Sequence, residues 1–173
     1  AFTDTQKFIV DNTPPAAFTT GIATTGSIPG STVDTTVFKL NDDGIKYWYL
    51  NKGADTVNVA LDLPTNDASL LGGGYVDIQA RVRNRMLTEW LSIDTKDTSN
   101  PFAKQDSIKG LGAGKIFTRN KNNIIDPLTP KGLIQGDTID LRARVFDRSL
   151  NVTNGALSAT YFVLDTLPPM HNN

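Results

Sequence analysis

Two segments of this chain alternate strictly between apolar and polar residues, and this pattern limits the possible folds more than any other feature. The apolar positions are every second residue from Val76 to Val82 and from Ile139 to Val145. A period of two is that of a β-strand that buries one face, whereas a helix repeats about every 3.6 residues. The two segments are therefore predicted to be strands of an antiparallel sheet, with one face on the core and the other in solvent.

The polar faces of these segments carry aspartates and arginines in a similar order. Their residues are Asp77, Gln79, Arg81, Arg83, Asp140, Arg142 and Arg144. Either an internal duplication or two strands that meet the same geometric demands explains the match. Cross-strand pairing of the opposite charges would stabilise the sheet by about a few tenths of a kcal/mol per pair. A basic ligand-binding stripe is the alternative, and the interleaved aspartates favour pairing.

The rest of the chain also favours β-structure. Threonine is abundant and glutamate occurs only at Glu89, so the Glu–Lys pairs that stabilise surface helices are scarce. Met86–Ile93 fits a helical face and a strand equally well. Apolar runs between Asn, Asp, Gly and Pro turns predict further strands at Thr35–Leu40, Ile45–Leu50, Thr56–Leu61, Lys115–Thr118 and Ala159–Asp165. This number of short strands predicts a β-sandwich.

The composition excludes several classes of partner. The charges are nearly balanced, with 17 basic and 18 acidic residues. No electrostatic field favours nucleic acid or an anionic membrane, so neither is expected as a partner. No run of about 18 apolar residues occurs, so membrane insertion is not expected either. The chain has no cysteine, which excludes disulfides and thiolate chemistry.

The common catalytic patterns are missing, and the chain is not expected to be an enzyme. Lys109–Lys115 is rich in glycine, but a phosphate-binding loop needs glycine in place of Lys109 and serine or threonine in place of Ile116. The single histidine, His171, follows the last proline pair. A general base must lie inside a cleft, and this position does not suit one.

Similar motifs stand near both ends of the chain. Phe8–Pro15 has the sequence FIVDNTPP, and Phe162–Pro169 has FVLDTLPP. Each resembles the last strand of a bacterial or archaeal cell-surface immunoglobulin-like repeat, followed by the V-D-x-T-P-P junction of that family. Arg142–Asn154 resembles the preceding strand and its A-x-D-x-x-G-N turn, although residues 145–151 lack the glycine of that turn. Paired prolines end a strand and stiffen the connection that follows.

The resemblance implies an all-β fold, an immunoglobulin-like antiparallel β-sandwich with a long loop insertion. The junctions lie farther apart than in the family's usual repeat, and the polar stretch 94–133 is the candidate insertion. Residues 1–15 are predicted as an N-terminal strand and junction, residues 16–169 as the sandwich and residues 170–173 as a tail. The first segment is then the tail of a preceding repeat, the first strand of this domain or a strand donated to a neighbour.

The resemblance also implies a function. A non-enzymatic structural subunit or module of an extracellular assembly is expected, such as a filament, a surface layer or a repeat adhesin at the cell surface. Its partners would be copies or tandem repeats of itself, joined by edge-strand and junction contacts. The expected assembly-strand residues are Phe8, Val10, Phe162 and Leu164. The expected junction residues are Asp11, Pro14, Pro15, Asp165, Pro168 and Pro169.

Calcium is the candidate cofactor. Carboxylate, amide and carbonyl oxygens in loops suit this ion, and the resemblance implies calcium near the junctions of surface arrays. The proposed ligands are Asp11, Asp42, Asp43 and Asp165. Solvated turn aspartates that bind no metal are the alternative.

A second functional class is an adhesin module that binds surface glycans or proteins through aromatic residues or through the stretch 94–133. The aromatic cluster is Tyr47, Trp48 and Tyr49. In a strand, Trp48 points opposite to the two tyrosines, so a core tryptophan with partly exposed tyrosines is expected. A virion fibre or capsid protein is a third class that composition leaves open.

Overall fold

The two alternating segments are the longest strands of the structure, a computed structural model that describes residues 10–25, 39–51, 54, 56–63, 70, 73–84, 89–93, 106–107 and 115–165. In chain order, the strands of these residues are β1 (Thr19–Thr25), β2 (Lys39–Leu40), β3 (Lys46–Leu50), β4 (Thr56–Asp62), β5 (Tyr75–Val82), β6 (Leu91–Ser92), β7 (Asp106–Ser107), β8 (Lys115–Asn120), β9 (Thr138–Phe146), β10 (Val152–Asn154) and β11 (Tyr161–Leu164). Helix α1 (Asn122–Leu128) and a 3-10 turn at Thr129–Lys131 follow β8.

β5 and β9 pair antiparallel over eight residue pairs. The strand prediction for both segments is confirmed. The alternate apolar positions between Val76 and Val82 and between Ile139 and Val145 are buried. The prediction of a solvated opposite face is wrong, because Asp77 on that face is buried as well.

Two sheets enclose one apolar core. The larger sheet has the strand order β2-β3-β11-β9-β5-β6, with β10 paired to β9 and β7 paired to β5. The smaller sheet has the order β1-β4-β8 and is antiparallel throughout. Val57, Val59 and Leu61 of β4 share one buried cluster with the apolar face of β5 and β9. The chain is therefore an all-β sandwich, as predicted.

β11 lies between β3 and β9, and its pairing with β3 is parallel. The larger sheet is thus mixed. The sequence predicts purely antiparallel pairing for both sheets. β3 and β11 lie far apart in the sequence, which leaves room for the crossover that a parallel pair requires. From β11, the side chains of Phe162 and Leu164 are buried in the core.

The stretch 94–133, predicted as a loop insertion, contains regular secondary structure in its described part. β8 completes the smaller sheet, as predicted for Lys115–Thr118. In α1, Ile124 and Leu128 are four residues apart and buried, so they lie on one face of the helix. Pro127 within the helix and the lack of a side-chain cap at Lys121 explain why no helix is predicted there. No helix in the described part of the chain is long and apolar enough to cross a membrane.

The other strand predictions differ in outcome. Those at 45–50, 56–61 and 159–165 are confirmed by β3, β4 and β11, within one or two residues at each end. Of the ambiguous segment Met86–Ile93, residues 86–88 lie outside the described residues, and Leu91–Ser92 form the strand β6. Of Thr35–Leu40, the last two residues are described and form β2. No alternation predicts β1, because Ile22 is its one large apolar residue.

Candidate functional site

A dense set of charged side chains lies on the outer face of β5 and β9. This surface, the polar face, comprises Asp77, Gln79, Arg81, Arg83, Asp140, Arg142 and Arg144. The register places Asp77 opposite Arg144 and Arg81 opposite Asp140, with the Gln79–Arg142 pair between these two rows. The predicted cross-strand pairing of aspartate with arginine is confirmed. Both carboxylates are 0% exposed, so these are buried pairs rather than solvated ones.

Asp140 binds two arginines of the chain segment that ends β5. Its Oδ2 accepts a hydrogen bond from Nε of Arg81 at 3.2 Å and forms an ion pair with Nη2 of the same residue at 3.1 Å. Its Oδ1 accepts one from Nε of Arg83 at 2.6 Å. About a third of each arginine side chain is exposed. The charge of the buried carboxylate is thus balanced by two cations that keep contact with water.

Asp77 connects three strands. Its Oδ2 accepts hydrogen bonds from Nε and Nη2 of Arg144 on β9, at 3.1 and 2.8 Å. The same oxygen accepts one from Nε2 of Gln79 at 3.1 Å, and Oδ1 accepts one from Oγ of Ser92 on β6. A buried carboxylate is stable only when its acceptors are satisfied in this way.

Arg142 has no carboxylate partner among the described residues. Its Nε donates to Oε1 of Gln79 at 2.8 Å. Burial lowers the pKa of this guanidinium below its usual value, the positive charges of Arg144 and Arg81 lower it further, and Asp77 acts in the opposite direction. The excess positive charge of the polar face is therefore centred on Arg142.

Aromatic rings border the arginines. The centre of the Trp90 ring lies 4.5 Å from Cζ of Arg81 and 4.4 Å from Cζ of Arg142. The ring of Tyr161 lies 4.5 Å from Cζ of Arg83. These distances are those of cation–π contacts. Trp90 was not among the residues predicted for a site, because it falls in the segment whose secondary structure the sequence left ambiguous.

The aromatic border continues onto β3. The rings of Tyr47 and Tyr161 are stacked, with centroids 5.5 Å apart and an interplanar angle of 14°. Tyr49 meets Tyr47 edge-on, also at 5.5 Å. Trp48 packs against the core from the opposite face, and both tyrosines are partly exposed. The expectation of a core tryptophan between two partly exposed tyrosines is confirmed.

The N-terminal junction is bound to the hairpin between β9 and β10. This contact, the junction clasp, is formed by Asp11, Pro15, Asp147, Asn151 and Thr153. Nδ2 of Asn151 donates to the carbonyl oxygen of Asp11 at 2.8 Å and to Oδ2 of Asp147 at 2.9 Å. Oγ1 of Thr153 donates to the carbonyl oxygen of Pro15. Asp147 and Pro15 are buried, whereas Pro14 is exposed.

Phe18 attaches the same segment to the core. Its side chain is buried, and its carbonyl oxygen accepts a hydrogen bond from the backbone N–H of Ala156 at 2.9 Å. A β-carbon at Gly155 would overlap the ring of Phe18, so this approach requires glycine. These contacts attach residues 11–18 to this sandwich, while Val10 is 79% exposed.

Leu150 occupies the position of the glycine in the A-x-D-x-x-G-N turn that this segment resembles. Its φ is 66°, in the left-handed region. For a residue with a β-carbon, that conformation costs about 1–2 kcal/mol. The turn holds this shape because Oδ1 of Asp147 accepts hydrogen bonds from the backbone N–H groups of Ser149 and Asn151.

Leu150→Gly is expected to raise the free energy of unfolding by about 0.5–1 kcal/mol, because relief of the strained φ exceeds the entropy that glycine adds to the unfolded chain. Leu150 is 54% exposed, so little packing is lost. Chemical denaturation measures the difference. Leu157→Gly is the control, since Leu157 is also exposed but has no positive φ. A destabilised Leu150→Gly variant would contradict the prediction.

The C-terminal junction is bound at the other end of the sandwich. The backbone N–H of Asp165 donates to the carbonyl oxygen of Leu50 at 3.0 Å. Oδ1 of Asp165 accepts a hydrogen bond from Nε2 of Gln135 at 2.8 Å, and the N–H of Leu164 donates to the carbonyl oxygen of Asp137 at 2.9 Å. The remaining predicted residues Phe8, Pro168 and Pro169 lie outside the described residues.

β9 separates the two junctions. Gln135 and Asp137, which contact the C-terminal junction, precede β9, whereas Asp147 of the junction clasp directly follows it. β9 has nine residues, so the junctions are separated by about 26–30 Å at a strand rise of 3.2–3.4 Å per residue. The chain therefore enters and leaves at opposite ends of this strand.

The four aspartates proposed as calcium ligands are not brought together. Asp11 and Asp165 lie at opposite ends of β9. Asp42 and Asp43 are exposed in the turn between β2 and β3, at the end of β3 opposite to Leu50. Within the described ranges, no group of three or more His, Cys, Asp or Glu residues is placed to hold a metal ion. Calcium binding near the junctions stays a prediction.

Phe162 and Leu164, predicted as assembly-strand residues, lie in an internal strand. β11 has a paired neighbour on each side, so its backbone cannot accept a further strand. Their buried side chains belong to the core. Of the predicted assembly-strand residues that the structure describes, Val10 is the one whose side chain is exposed to solvent.

The fold and these contacts define the class of the protein: an all-β sandwich with junctions at opposite ends and an arginine-rich outer face. No protein-family model matches the chain, and no curated protein is similar to it. The relation to immunoglobulin-like surface repeats therefore stays a resemblance.

Proposed function

We propose that this chain is a non-enzymatic structural module of an extracellular assembly at the cell surface, such as a filament, a surface layer or a repeat adhesin. The position of the two junctions at opposite ends of β9 is the observation that supports this function most strongly. A chain that enters a sandwich at one end and leaves at the other can be repeated in series without turning back on itself.

The same geometry suits a mechanical role. Tension between Asp11 and Asp165 acts along β9 and β11, since both junctions are bonded next to these strands. Hydrogen bonds between antiparallel strands lie perpendicular to the strand axis. Such a load therefore acts on many hydrogen bonds at once, and β11 is held from both sides by β3 and β9.

The smaller sheet offers an edge for strand addition. β1 and β8 are its outer strands, and in the described part of the chain each pairs only with β4. Ile116 of β8 is 62% exposed. An extended segment with alternating apolar residues, such as Phe8 and Val10, fits an edge of this kind by β-augmentation. Further copies of the chain are thus the expected partners.

Removal of residues 1–9 is expected to prevent end-to-end assembly and to leave a folded monomer. The truncation removes Phe8 and the rest of the donor segment up to residue 9, but it keeps Asp11, so the junction clasp is preserved. Negative-stain electron microscopy and size-exclusion chromatography compare the full and truncated chains, each with calcium and with a chelator. Polymers that form only with calcium would place the ion at the contacts. Normal polymers of the truncated chain would contradict strand donation, and a full-length chain that stays monomeric throughout would contradict self-assembly.

A substitution at the acceptor edge distinguishes strand addition from non-specific association. Ile116→Lys places a charge on the outer strand β8, which blocks pairing with a further strand. Ile134→Lys is the matched control, because Ile134 is 56% exposed but lies outside the strands. Only the first variant is expected to prevent polymers. Equal effects of the two would show that the edge has no special role.

A further inference from the structure

Arg142 is an unmatched charge on the polar face. Four guanidinium groups share this face with two carboxylates. Asp140 is bonded by Arg81 and Arg83, and Asp77 is bonded by Arg144. Among the described residues, Arg142 is bonded through Nε to Gln79, so its two Nη groups remain to donate to a ligand.

An anion at Arg142 would relieve an unfavourable accumulation of positive charge. Arg81 and Arg144 lie close by, and burial removes part of the hydration of Arg142, which together lower its pKa. A carboxylate pairs with a guanidinium through two parallel hydrogen bonds. The pair is stronger in a partly desolvated position than in bulk water. The geometry therefore favours a ligand that bears a carboxylate.

The aromatic border adds a second kind of contact. The Trp90 ring is stacked with the guanidinium of Arg142, and Tyr47 and Tyr49 are partly exposed on the same outer face of the sheet. Rings of this kind pack against the apolar faces of sugars. From β3 across β11 and β9 to β5 there are three strand spacings, or about 14 Å. An outer face of this length suits a linear polymer better than a single small molecule.

We propose that the polar face binds an acidic polysaccharide, with the carboxylate of a uronic-acid residue bound by the Nη groups of Arg142 and sugar rings packed on the aromatic border. The negative charge of such a polymer complements the excess of arginine on this face. The site is centred on Arg142, at the middle of β9 on the outer face of the larger sheet, between the two junctions. It is independent of the proposed assembly, and either proposal can fail without the other.

Binding of polygalacturonate, a polymer of uronic acid, to the full chain tests this proposal by isothermal titration calorimetry. Arg142→Gln is expected to weaken binding about tenfold or more, because the bidentate contact is lost. Arg142→Lys keeps the positive charge but cannot form two parallel hydrogen bonds, so an affinity between those of the intact chain and Arg142→Gln is expected. Arg119→Gln on the smaller sheet is the matched control and is expected to change binding less than about twofold. Thermal unfolding of each variant checks that the fold is intact.

Three outcomes would overturn the proposal. The first is no binding of polygalacturonate by the intact chain. The second is equal binding by the intact chain and a folded Arg142→Gln variant. The third is polyglutamate bound as tightly as polygalacturonate and with the same dependence on Arg142, since the ligand would then be an acidic peptide. Neutral dextran is expected not to bind.

Discussion

Phe162→Ala is expected to lower the free energy of unfolding by about 3–5 kcal/mol. Phe162 is 0% exposed and lies on β11, between Trp48 on β3 and Ile139 on β9 in the register. The substitution leaves a cavity in the core below β11. The neighbouring side chains on β3 and β9 cannot fill this cavity because the sheet holds them in place. Urea denaturation followed by tryptophan fluorescence measures the loss.

The result also distinguishes two roles for this residue. Val163→Ala is the control, because Val163 is the next residue on the same strand, points to the opposite face and is partly exposed. We expect the control to cost about 1 kcal/mol or less. If Phe162→Ala kept its stability but failed to assemble, the residue would serve contacts between subunits, as the sequence motif suggested, rather than the core.

Asp77→Ala is expected to cost about 3 kcal/mol. The carboxylate is fully buried and accepts hydrogen bonds from Arg144, Gln79 and Ser92, which belong to three strands. Removal of one partner of a buried ion pair costs about 3–5 kcal/mol. The low end applies here, because 37% of the Arg144 side chain is exposed and water can hydrate the released cation. Chemical denaturation at moderate salt measures the effect.

A double-mutant cycle assigns this loss to the ion pair. Asp77→Ala, Arg144→Met and the double variant are expected to show a coupling energy of about 1–2 kcal/mol. Asp77→Asn keeps the shape and one acceptor oxygen, so a smaller loss of about 1–2 kcal/mol is expected. A change of less than about 0.5 kcal/mol for Asp77→Ala would show that the carboxylate does not hold the three strands together.

Alternation made the central strands predictable. In β5 and β9 every second residue is apolar over the whole strand, and a strand with one buried face is the structure that satisfies such a pattern. β4 has the same property through Val57, Val59 and Leu61. β1 shows little alternation, so its pairing with β4 over seven residues could not be predicted from its own sequence. The β-propensity of its residues does not predict this strand, because the contacts that stabilise it come from β4.

The candidate site was less predictable than the fold. The sequence indicated pairing between aspartates and arginines, but it also predicted that the polar residues of β5 and β9 are exposed to solvent. Asp77 is instead buried and the arginines are only partly exposed, because β6 brings Ser92 onto Asp77 and the adjacent Trp90 over Arg81 and Arg142. That cover comes from a segment whose own pattern fits a helix and a strand equally well, so its position depends on the pairing of β6 with β5.

Local patterns thus determined the central strands and the two junction motifs, because each depends on residues that are close in sequence or that repeat with a fixed period. The parallel pairing of β11 with β3, the burial of Asp77 and Asp140, and the position of Asp11 and Asp165 at opposite ends of β9 depended on the tertiary structure. Each of these features joins segments that are far apart in the chain. The energy that holds them together arises only when the core of the sandwich closes.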